Sequence, residues 1–429
     1  MQSPSVLKIR SFRDLWLGQA ISQVGDAFYY VTFMFMVKKV TGSNAMVGYV
    51  GAAEMLPFLL FGPYAGVLAD RMDRRKLLLW SDLVSGGWLL LLAFLVLLLG
   101  SPPVWAIFAS AFLLSTARAF FLPTKNAAIP NLVPKDQLLE ASSVSMGTEN
   151  VVKLAGLGVS AAMLSLLYGL ESNWFFIAAV AVNSLSFFGS AVYVRRLPVL
   201  LPDRSDLHEA PHPMRDFVDG LRYVKRRAVL VTLLFVQLGV HLLIAPFFVT
   251  YIASNDQWFG GKPQTLTWFE FAFFVGMVIS SAAVAKRSIR RPGVAFAGAM
   301  GVMGLAVAAM AFSPWFWAYL FWNLVCGLAL PFGLIPMQTY MQLTVEDAFR
   351  GRVNSTLTTL STSVMPLGMA LGGVVLEQLG LVPTYLVMGL GIVAVAVAGA
   401  ASAAFRTSEL PSAEPLELDA QPEPLAAAS

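Results

Sequence analysis

Apolar stretches long enough to cross a bilayer recur along the whole chain. A helix needs roughly 20 apolar residues to span the hydrocarbon core, and windows of about that length with one charged residue or none follow one another through the 429 residues. The chain is 57% hydrophobic and 13% charged, whereas soluble domains average roughly 45–50% and 25%. This pattern excludes a soluble domain and predicts an all-α integral membrane protein that crosses the membrane many times.

Twelve spans are predicted, in two groups of six. They lie at 15–37, 45–69, 77–100, 104–124, 138–168, 173–194, 229–253, 264–285, 293–312, 315–343, 353–379 and 381–405. The longest loop between spans, 195–228, separates an N-terminal half (1–194) from a C-terminal half (229–405). Its segment "PMRDFVDGLRYVKRR" spaces apolar residues at helical intervals among charges, which predicts an amphipathic helix on the inner membrane surface. The tail, 406–429, is rich in Pro, Glu and Ala and is predicted to be disordered.

The distribution of Lys and Arg predicts the orientation of the spans. With the N-terminus in the cytoplasm, only Lys38, Lys39 and Lys262 lie in outer loops. Arg118 and Lys153 lie within spans, and the remaining 24 of the 29 Lys and Arg residues face the cytoplasm. Because cytoplasmic loops of membrane proteins carry an excess of basic residues, we expect a multi-pass protein of the cell inner (plasma) membrane with both termini in the cytoplasm.

Two pairs of segments indicate an internal repeat. "ADRMDRR" (69–75) aligns with "AKRSIRR" (285–291) at an offset of 216 residues. "SSVSMGTENVVKLAGLG" (142–158) aligns with "NSTLTTLSTSVMPLGMA" (354–370) at an offset of 212. The matches occupy equivalent places in the two groups of six spans. Two similar halves with a substrate path between them, near the middle of the membrane, are typical of many secondary transporters.

The short link between spans two and three concentrates charge in a chain that has little of it. Its sequence, "GVLADRMDRRK" at 66–76, resembles the signature G-x-L-a-D-R-x-x-R-R/K of the major facilitator superfamily, with Asp73 where many members have Gly. Further pieces, "FRDLWLGQAISQVGDAF", "LVPKDQLLEASS" and "EDAFRGRVNS", extend the resemblance over 10–405. They look most like the branch of that family that holds macrolide and multidrug exporters and siderophore exporters.

This resemblance implies the major facilitator fold, in which twelve transmembrane helices form two pseudo-symmetric halves. It also implies an inner gate. In the family, a carboxylate at the position of Asp70 is thought to hold the two halves together through the start of span eleven when the protein faces outward. The residues predicted for this gate are Gly66, Asp70, Arg71, Arg74, Arg75, Gly351 and Arg352. The alternative is that the basic residues are ordinary anchors at the inner surface.

Ionisable residues inside the spans are the second group of candidates. Each costs roughly 2.5–3.5 kcal/mol near the bilayer centre on insertion scales. Those predicted to carry protons or contact substrate are Asp26, Glu54, Arg118, Glu149, Lys153, His241 and Glu270. Arg118 falls where the resembled family carries a basic residue implicated in proton transfer. The alternative is structural: Glu149 and Lys153, spaced i, i+4, could neutralise each other, and the others could hydrogen-bond between helices. Asp82 and Glu377, near span ends, are interpreted as structural.

These ionisable groups are unevenly distributed between the halves. Most lie in spans one, two, four and five, which predicts that protonation occurs mainly in the N-terminal half. The C-terminal half offers aromatic residues and Met, which suit a bulky, partly apolar substrate, although they could equally face lipid. The predicted substrate wall consists of Trp322, Phe332, Met337 and Tyr340.

These features favour a secondary active transporter that exports amphipathic, drug-like compounds in exchange for protons by alternating access. One alternative is a dedicated exporter or carrier of one metabolite, such as a siderophore or a lysophospholipid. Another is a membrane receptor that does not transport. Span five, "KLAGLGVSAAM", lacks the Pro of the G-P-x-x-G-G motif that proton-coupled drug antiporters commonly carry, which leaves the direction of transport open.

An enzyme is not expected, because the chain has no G-x-x-x-x-G-K, no H-E-x-x-H and no Cys/His spacing that would hold a metal. The expected partners are a small amphipathic substrate, protons and membrane lipids. We expect no cofactor besides the coupling proton, no metal and no nucleic acid, and we expect a monomer.

Overall fold

The computed structural model describes residues 5–138, 140–149, 151–152, 174–201, 213–261, 263–284 and 289–410. Throughout these ranges every regular element is a helix. Short 3-10 turns lie at Ser5–Lys8 and Lys135–Gln137. The α-helices are α1 (Arg10–Thr41), α2 (Asn44–Arg71), α3 (Arg74–Leu99), α4 (Val104–Leu132), α5 (140–149), α6 (Trp174–Val194), α7 (Pro213–Lys225), α8 (Ala228–Ile244), α9 (Phe247–Trp258), α10 (Pro263–Val284), α11 (Pro292–Met310), α12 (Phe316–Thr344), α13 (Asp347–Ser363), α14 (Met365–Leu379), α15 (Leu381–Ala401) and α16 (Ala403–Arg406).

The prediction of an all-α membrane protein is confirmed. In the part of the chain that the structure describes, 9 helical segments are long and apolar enough to cross a membrane. Two of these segments each contain two consecutive helices, α8 with α9 and α13 with α14. The other three predicted spans correspond to α1, to 138–168, of which a large part lies outside the described residues, and to α10, whose apolar part is Trp268–Val284. The total of twelve stays a prediction.

The packing of the helices repeats between the halves. In the N-terminal half, α1 packs against α6, α2 against α4, and α3 against both α4 and α6. In the C-terminal half, α8 packs against α15, α10 against α12, and α11 against both α12 and α15. Each contact in the C-terminal half joins two spans that lie six spans after the corresponding pair in the N-terminal half. The repeat that the sequence offsets indicate is therefore visible in which helices touch, although the exact domain boundaries stay a prediction.

The fourth helix is longer than predicted. The sequence places the end of span four at 124, where Pro123 and Lys125 interrupt the apolar run, but α4 continues to Leu132 with Pro123 and Pro130 inside it. Membrane helices tolerate internal Pro because neighbouring groups satisfy the freed backbone carbonyls. As a consequence, Lys125 is part of a helix and not of a loop.

Two helix breaks in the C-terminal half pack against each other. Pro246 precedes α9 and separates it from α8, and Pro366 lies in the first turn of α14. A Cβ on Gly372 would lie 2.2 Å from Cβ of Pro246, and a Cβ on Gly368 would lie 2.3 Å from the carbonyl oxygen of Leu242. Only Gly fits at such close helix contacts. The breaks therefore fix the course of both helices where they meet.

The central loop contains a helix, α7, at the position where the sequence predicts one. This helix packs against α13. A Cβ on Gly220 would lie 2.7 Å from the carbonyl oxygen of Arg352, and the rings of Tyr223 and Phe349 stack with centroids 5.1 Å apart. The helix is thus joined to the beginning of span eleven, where the inner gate is predicted. Its location at the membrane surface stays a prediction.

Candidate functional site

A polar cavity lies inside the N-terminal half. Its volume is about 120 Å³, and α1 to α6 all contribute to its lining. The charged residues that line it are Asp26, Glu54, Asp82, Arg118, Lys125 and Glu149. Four of these six were predicted as site residues from the sequence. The fold brings together side chains that lie in five different helices.

Asp26 lies where α1 approaches α6 closely. Asn183 Nδ2 donates a hydrogen bond of 3.3 Å to Asp26 Oδ1. A Cβ on Gly25 would lie 2.5 Å from Asn183 Oδ1 and 2.1 Å from Ser186 Oγ, so Gly25 is required for this approach. The structural alternative, a hydrogen bond between helices, is thus present. The same carboxyl also faces the cavity, so the bond and a role in transport are compatible.

Arg118 is the shared neighbour of two carboxyl groups. Its guanidinium acts electrostatically on both Asp26 and Glu54. Because three charged groups on spans one, two and four influence one another, a proton gained or lost by one carboxyl changes the charge that the other groups experience.

Asp82 is a cavity residue that the sequence interpretation missed. Its side chain is buried, with 1% exposed, and Ser190 Oγ donates a hydrogen bond of 2.7 Å to its Oδ2. Span three was predicted to begin at 77, so Asp82 was placed near a span end. In the structure α3 begins at Arg74, and Asp82 lies about two helical turns inside it. The position of the helix start is the signal that could have identified it.

Glu149 has a partner that the sequence did not predict. The alternative pairing of Glu149 with Lys153 stays a prediction, because Lys153 lies outside the described residues. Lys125 Nζ lies 3.5 Å from Glu149 Oε2, and the Lys125 side chain is 7% exposed. This contact follows from the length of α4, because a helix that ended at 124 would leave Lys125 in a loop. The lysine is therefore a second cavity residue that the sequence did not identify.

Two glutamines add neutral polar groups to the same cavity. Gln19 Nε2 and Gln23 Oε1 are buried and make no hydrogen bond within the described residues. A buried polar atom without a protein partner needs water or a ligand to complete its hydrogen bonding. Gln19 and Gln23 lie on α1 between its inner end and Asp26, so a wet path to that carboxyl would run along them.

A second cavity lies inside the C-terminal half and has a different lining. Its volume is about 460 Å³, and residues of α8 to α12 form it. Its main wall consists of Phe247, Phe248, Phe273, Phe274, Phe296 and Met300. His241 and Glu270, both predicted as candidates, also line it. His241 Nδ1 lies 2.7 Å from the carbonyl oxygen of Gln237.

The predicted substrate wall does not line this cavity. Trp322, Phe332, Met337 and Tyr340 are absent from its described lining. Trp322 donates from Nε1 to Ser313 Oγ at 3.0 Å, and Met337 is buried with 2% exposed. The aromatic character expected of the C-terminal half is present, but α8 to α11 supply most of it. The composition of α12 could not show which of its faces points inward.

The repeat offset relates a carboxyl group in one cavity to a carboxyl group in the other. An offset of 216 takes Glu54 to Glu270. Glu54 lines the cavity of the N-terminal half, and Glu270 lines that of the C-terminal half. The equivalent of Arg118 is Leu334 at an offset of 216. A search of the sequence for ionisable residues at the repeat offset could have identified Glu54 and Glu270 as a pair.

The halves meet at the end of the bundle that carries Lys38 and Lys39, called the outer end here in accordance with the predicted orientation. There α2 packs against α14. A Cβ on Gly48 would lie 2.5 Å from the carbonyl oxygen of Met369 and 3.1 Å from Cα of Gly373. Glu377, interpreted as structural from the sequence, accepts hydrogen bonds from Ser43 Oγ and, at 2.7 Å, from the backbone N–H of Ala45. A carboxylate of one half thus caps a helix of the other.

At the inner end, the bonds of the predicted gate residues that the structure describes stay within one half or reach the central loop. Arg74 donates to Asn131 and to the carbonyl oxygen of Ala69, and Arg75 donates to the carbonyl oxygen of Leu197. Arg352 forms an ion pair of 2.8 Å with Asp216 of α7.

The other predicted gate residues are Gly66, Gly351, Arg71 and Asp70. Among the described residues outside the adjoining turns of its own helix, no atom lies within 4 Å of a Cβ placed on Gly66 or on Gly351. Arg71 is exposed at the end of α2, and the side chain of Asp70 lies outside the described residues. The bond predicted between Asp70 and the start of span eleven therefore stays a prediction.

Asp73, which departs from the resembled signature, has a structural role. It precedes α3, and its Oδ1 accepts from the backbone N–H of Arg75 at 3.1 Å and of Leu200 at 3.2 Å. The first bond caps the start of α3, and the second holds the segment that follows α6. A Gly at this position would make neither side-chain bond.

Known proteins with similar sequences are named as efflux proteins. Macrolide efflux protein A of Streptococcus pyogenes is 26% identical over 394 residues, which cover 90% of this chain and 94% of that protein. The multidrug efflux pump Tap of Mycolicibacterium fortuitum is 29% identical over 391 residues, which cover 86% of this chain and 91% of that pump.

Solved transporters share the fold at low sequence identity. A bacterial homologue of the iron transporter ferroportin in the inward-facing state has a TM-score of 0.71 and 15% identity, with 93% of this chain and 100% of that one covered. The nucleoside transporter NupG has a TM-score of 0.66 and 16% identity, with 93% and 98% covered. The sequence pattern of the Major Facilitator Superfamily matches residues 15–365, which is most of the chain. The protein belongs to this family of secondary transporters and is not an enzyme.

Proposed function

We propose that the protein exports amphipathic, drug-like compounds in exchange for protons by alternating access. The observation that carries this proposal is the N-half cavity, where Asp26, Glu54 and Asp82 face the same space as Arg118. Carboxyl groups inside the membrane are costly and mark ion or proton paths. A proton that binds one of these carboxyl groups reduces the negative charge that faces Arg118. Substrate in the transport path can respond to that change in charge.

The contacts at the two ends support an alternating-access cycle. The outer end is closed by Gly48 against Met369 and by Glu377 over the start of α2. At the inner end, no described residue of another helix lies within 4 Å of a Cβ on Gly66 or on Gly351. This is the arrangement expected of a transporter that is open to the cytoplasm. In the proposed cycle, the inner gate around Asp70 and Arg352 closes as the outer contact opens.

Export of drug-like compounds is supported by the names of the similar efflux proteins and by the aromatic lining of the C-half cavity. A proton that enters down a membrane potential of 100 mV releases about 2.3 kcal/mol, and each pH unit adds about 1.4 kcal/mol. One proton per cycle can therefore sustain a useful concentration gradient. We place the protein in the inner (plasma) membrane, surrounded by lipid, as a monomer with both termini in the cytoplasm.

The test uses the purified full-length protein in liposomes with a trapped pH dye. A pH gradient is imposed, and lipophilic cations, macrolides, siderophores and lysolipids are added one at a time. We expect proton movement on addition of lipophilic cations or macrolides. The variants Asp26→Asn and Glu54→Gln should lose it, because an amide cannot exchange a proton in this pH range. Glu409→Gln, which changes an exposed carboxyl group at the inner end, should behave as the unchanged protein.

Each other outcome points to a different function. Proton movement with siderophores or lysolipids alone would favour a dedicated exporter of one metabolite. Exchange of substrate without proton movement would contradict proton coupling and leave a facilitator. If no compound binds or moves, transport of these classes is wrong, and a receptor or a different substrate class has to be considered.

A further inference from the structure

The C-half cavity combines an aromatic wall with a carboxyl group and contains no basic side chain other than His241 in its described lining. We propose that it binds the charged end of a lipophilic organic cation, such as a protonated tertiary amine or a phosphonium that carries aromatic groups. The inference extends the proposed function and rests on it for one point, which is that the bound compound is a transported one.

The comparison of repeat positions is the first argument. In the N-half cavity, the carboxyl of Glu54 shares its space with the guanidinium of Arg118. In the C-half cavity, Glu270 takes the position of Glu54. The two offsets of the repeat, 216 and 212, place Leu334 and Leu330 at the position of Arg118, and both leucines line the cavity. The repeat therefore keeps the carboxyl, and leucines line the cavity at the position where the cavity of the N-terminal half has the guanidinium.

The aromatic wall is the second argument. Phe247, Phe273 and Phe274 line the cavity together with Tyr251, on which Glu270 acts electrostatically. The faces of aromatic rings attract cations and give no such attraction to anions. A volume of about 460 Å³ lies within the roughly 300–1,000 Å³ typical of sites for drug-sized ligands. The cavity thus has room for the apolar groups that surround the charge.

A third observation concerns the polar side of the cavity. Gln237 Oε1 is buried and accepts no hydrogen bond within the described residues. It lies on α8 one turn before His241, and both residues line the cavity. A protonated amine has N–H groups that can donate to such an oxygen. Gln237 can therefore add a hydrogen bond to the attraction that Glu270 and the rings exert on a cation.

The experiment measures binding of two probes of the same size and opposite charge. Tetraphenylphosphonium is a permanent cation and tetraphenylborate is a permanent anion, so neither changes its charge with pH. Dissociation constants are measured by equilibrium binding to the purified full-length protein. Glu270→Gln should weaken binding of the cation by about tenfold or more, because opposite charges attract strongly where water is excluded. It should leave the anion unaffected or improve its binding.

Two further variants serve as controls for the site. Phe274→Leu keeps an apolar side chain and removes the ring, so the cation should bind about threefold more weakly. Glu409→Gln removes an exposed carboxyl group at the inner end, outside both cavities, and should leave the dissociation constant of the cation unchanged. Melting temperatures and size-exclusion profiles establish that each variant is folded. If Glu270→Gln does not fold, Phe274→Leu decides the matter.

The proposal is overturned if the unchanged protein fails to bind the cation or binds the anion equally well. It is also overturned if folded Glu270→Gln binds the cation with an unchanged dissociation constant. If Glu270→Gln does not fold, an unchanged dissociation constant in Phe274→Leu overturns the proposal. The liposome assay separates this result from the proposed function. If cation binding depends on Glu270 but no protons move, proton-coupled export is contradicted and the cation site is supported. If Glu270→Gln leaves proton-coupled export unchanged, export is supported and the cation site is contradicted.

Discussion

The outer and inner ends of the bundle differ in the contacts that build them. At the outer end the two halves touch and the contact is steric, because a Cβ on Gly48 would lie 2.5 Å from the carbonyl oxygen of Met369. At the inner end Arg352 forms an exposed ion pair with Asp216 of the central loop, and the two side chains are 42% and 37% exposed. Exposed ion pairs exchange partners at little cost, whereas packed backbones admit no extra volume.

This difference suggests how the two ends respond to substitution. The outer end should be sensitive to side-chain volume and only moderately sensitive to charge. The inner end should be sensitive to charge, and each charge substitution there should have a small effect. Three predictions test this comparison, and all use distances between spin labels on the full-length protein, with Cys326→Ala removing the only native cysteine. The outer pair of labels is at Lys39→Cys and Leu379→Cys.

The largest effect is expected from Gly48→Leu. The added side chain cannot fit between α2 and α14, and overpacking of this kind costs about 1–3 kcal/mol. The outer end should open, so the distance between the outer labels should shift to longer values in most molecules. Transport in liposomes should fall with it. Gly62→Leu is the matched control on the same helix, because a Cβ there meets no atom of another described helix within 4 Å. Equal shifts in both variants would contradict a steric contact at Gly48.

A smaller effect is expected from Glu377→Gln. The carboxylate accepts from the backbone N–H of Ala45 at 2.7 Å, at the positive end of α2. A negative charge at a helix N-terminus stabilises the helix by about 0.3–1 kcal/mol. Its loss should therefore raise the fraction of molecules with an open outer end about two- to fivefold. The outer labels report this change. If Glu377→Gln shifts the distance as much as Gly48→Leu, charge and not volume controls the outer end.

The smallest effect is expected from Asp216→Asn at the inner end. The variant releases Arg352 from a pair that, being exposed, is worth at most about 1 kcal/mol. Released Arg352 becomes available to the predicted gate around Asp70, so closure of the inner end should increase about twofold. Labels at Met72→Cys and Leu343→Cys measure that closure as a shorter distance. A return to the original distribution in the double variant Asp216→Arg with Arg352→Asp would establish that the pair itself is responsible, whereas a longer distance in Asp216→Asn would contradict the exchange of partners.

Part of the candidate site was predictable because it depends on local sequence. A carboxyl group such as Asp26 or Glu54 stands out in an apolar window, and its cost in the membrane requires an explanation whatever the fold. Asp82 was misjudged for a local reason as well, since the start of α3 was placed three residues too late. Lys125 was missed because apolar runs and helices do not end at the same place when Pro is tolerated.

The amino-acid sequence by itself determined the membrane class, the division into two halves, the repeat and the family. Each of these follows from hydrophobicity over about 20 residues or from short segments compared with one another. Tertiary structure alone decided which charges share a cavity, which aromatic residues line the other one, and where the halves touch. Gly48 and Met369 lie more than three hundred residues apart in the chain, and whether they meet depends on how each helix is rotated and packed. That information is carried by the shape complementarity of many side chains together and by no single segment.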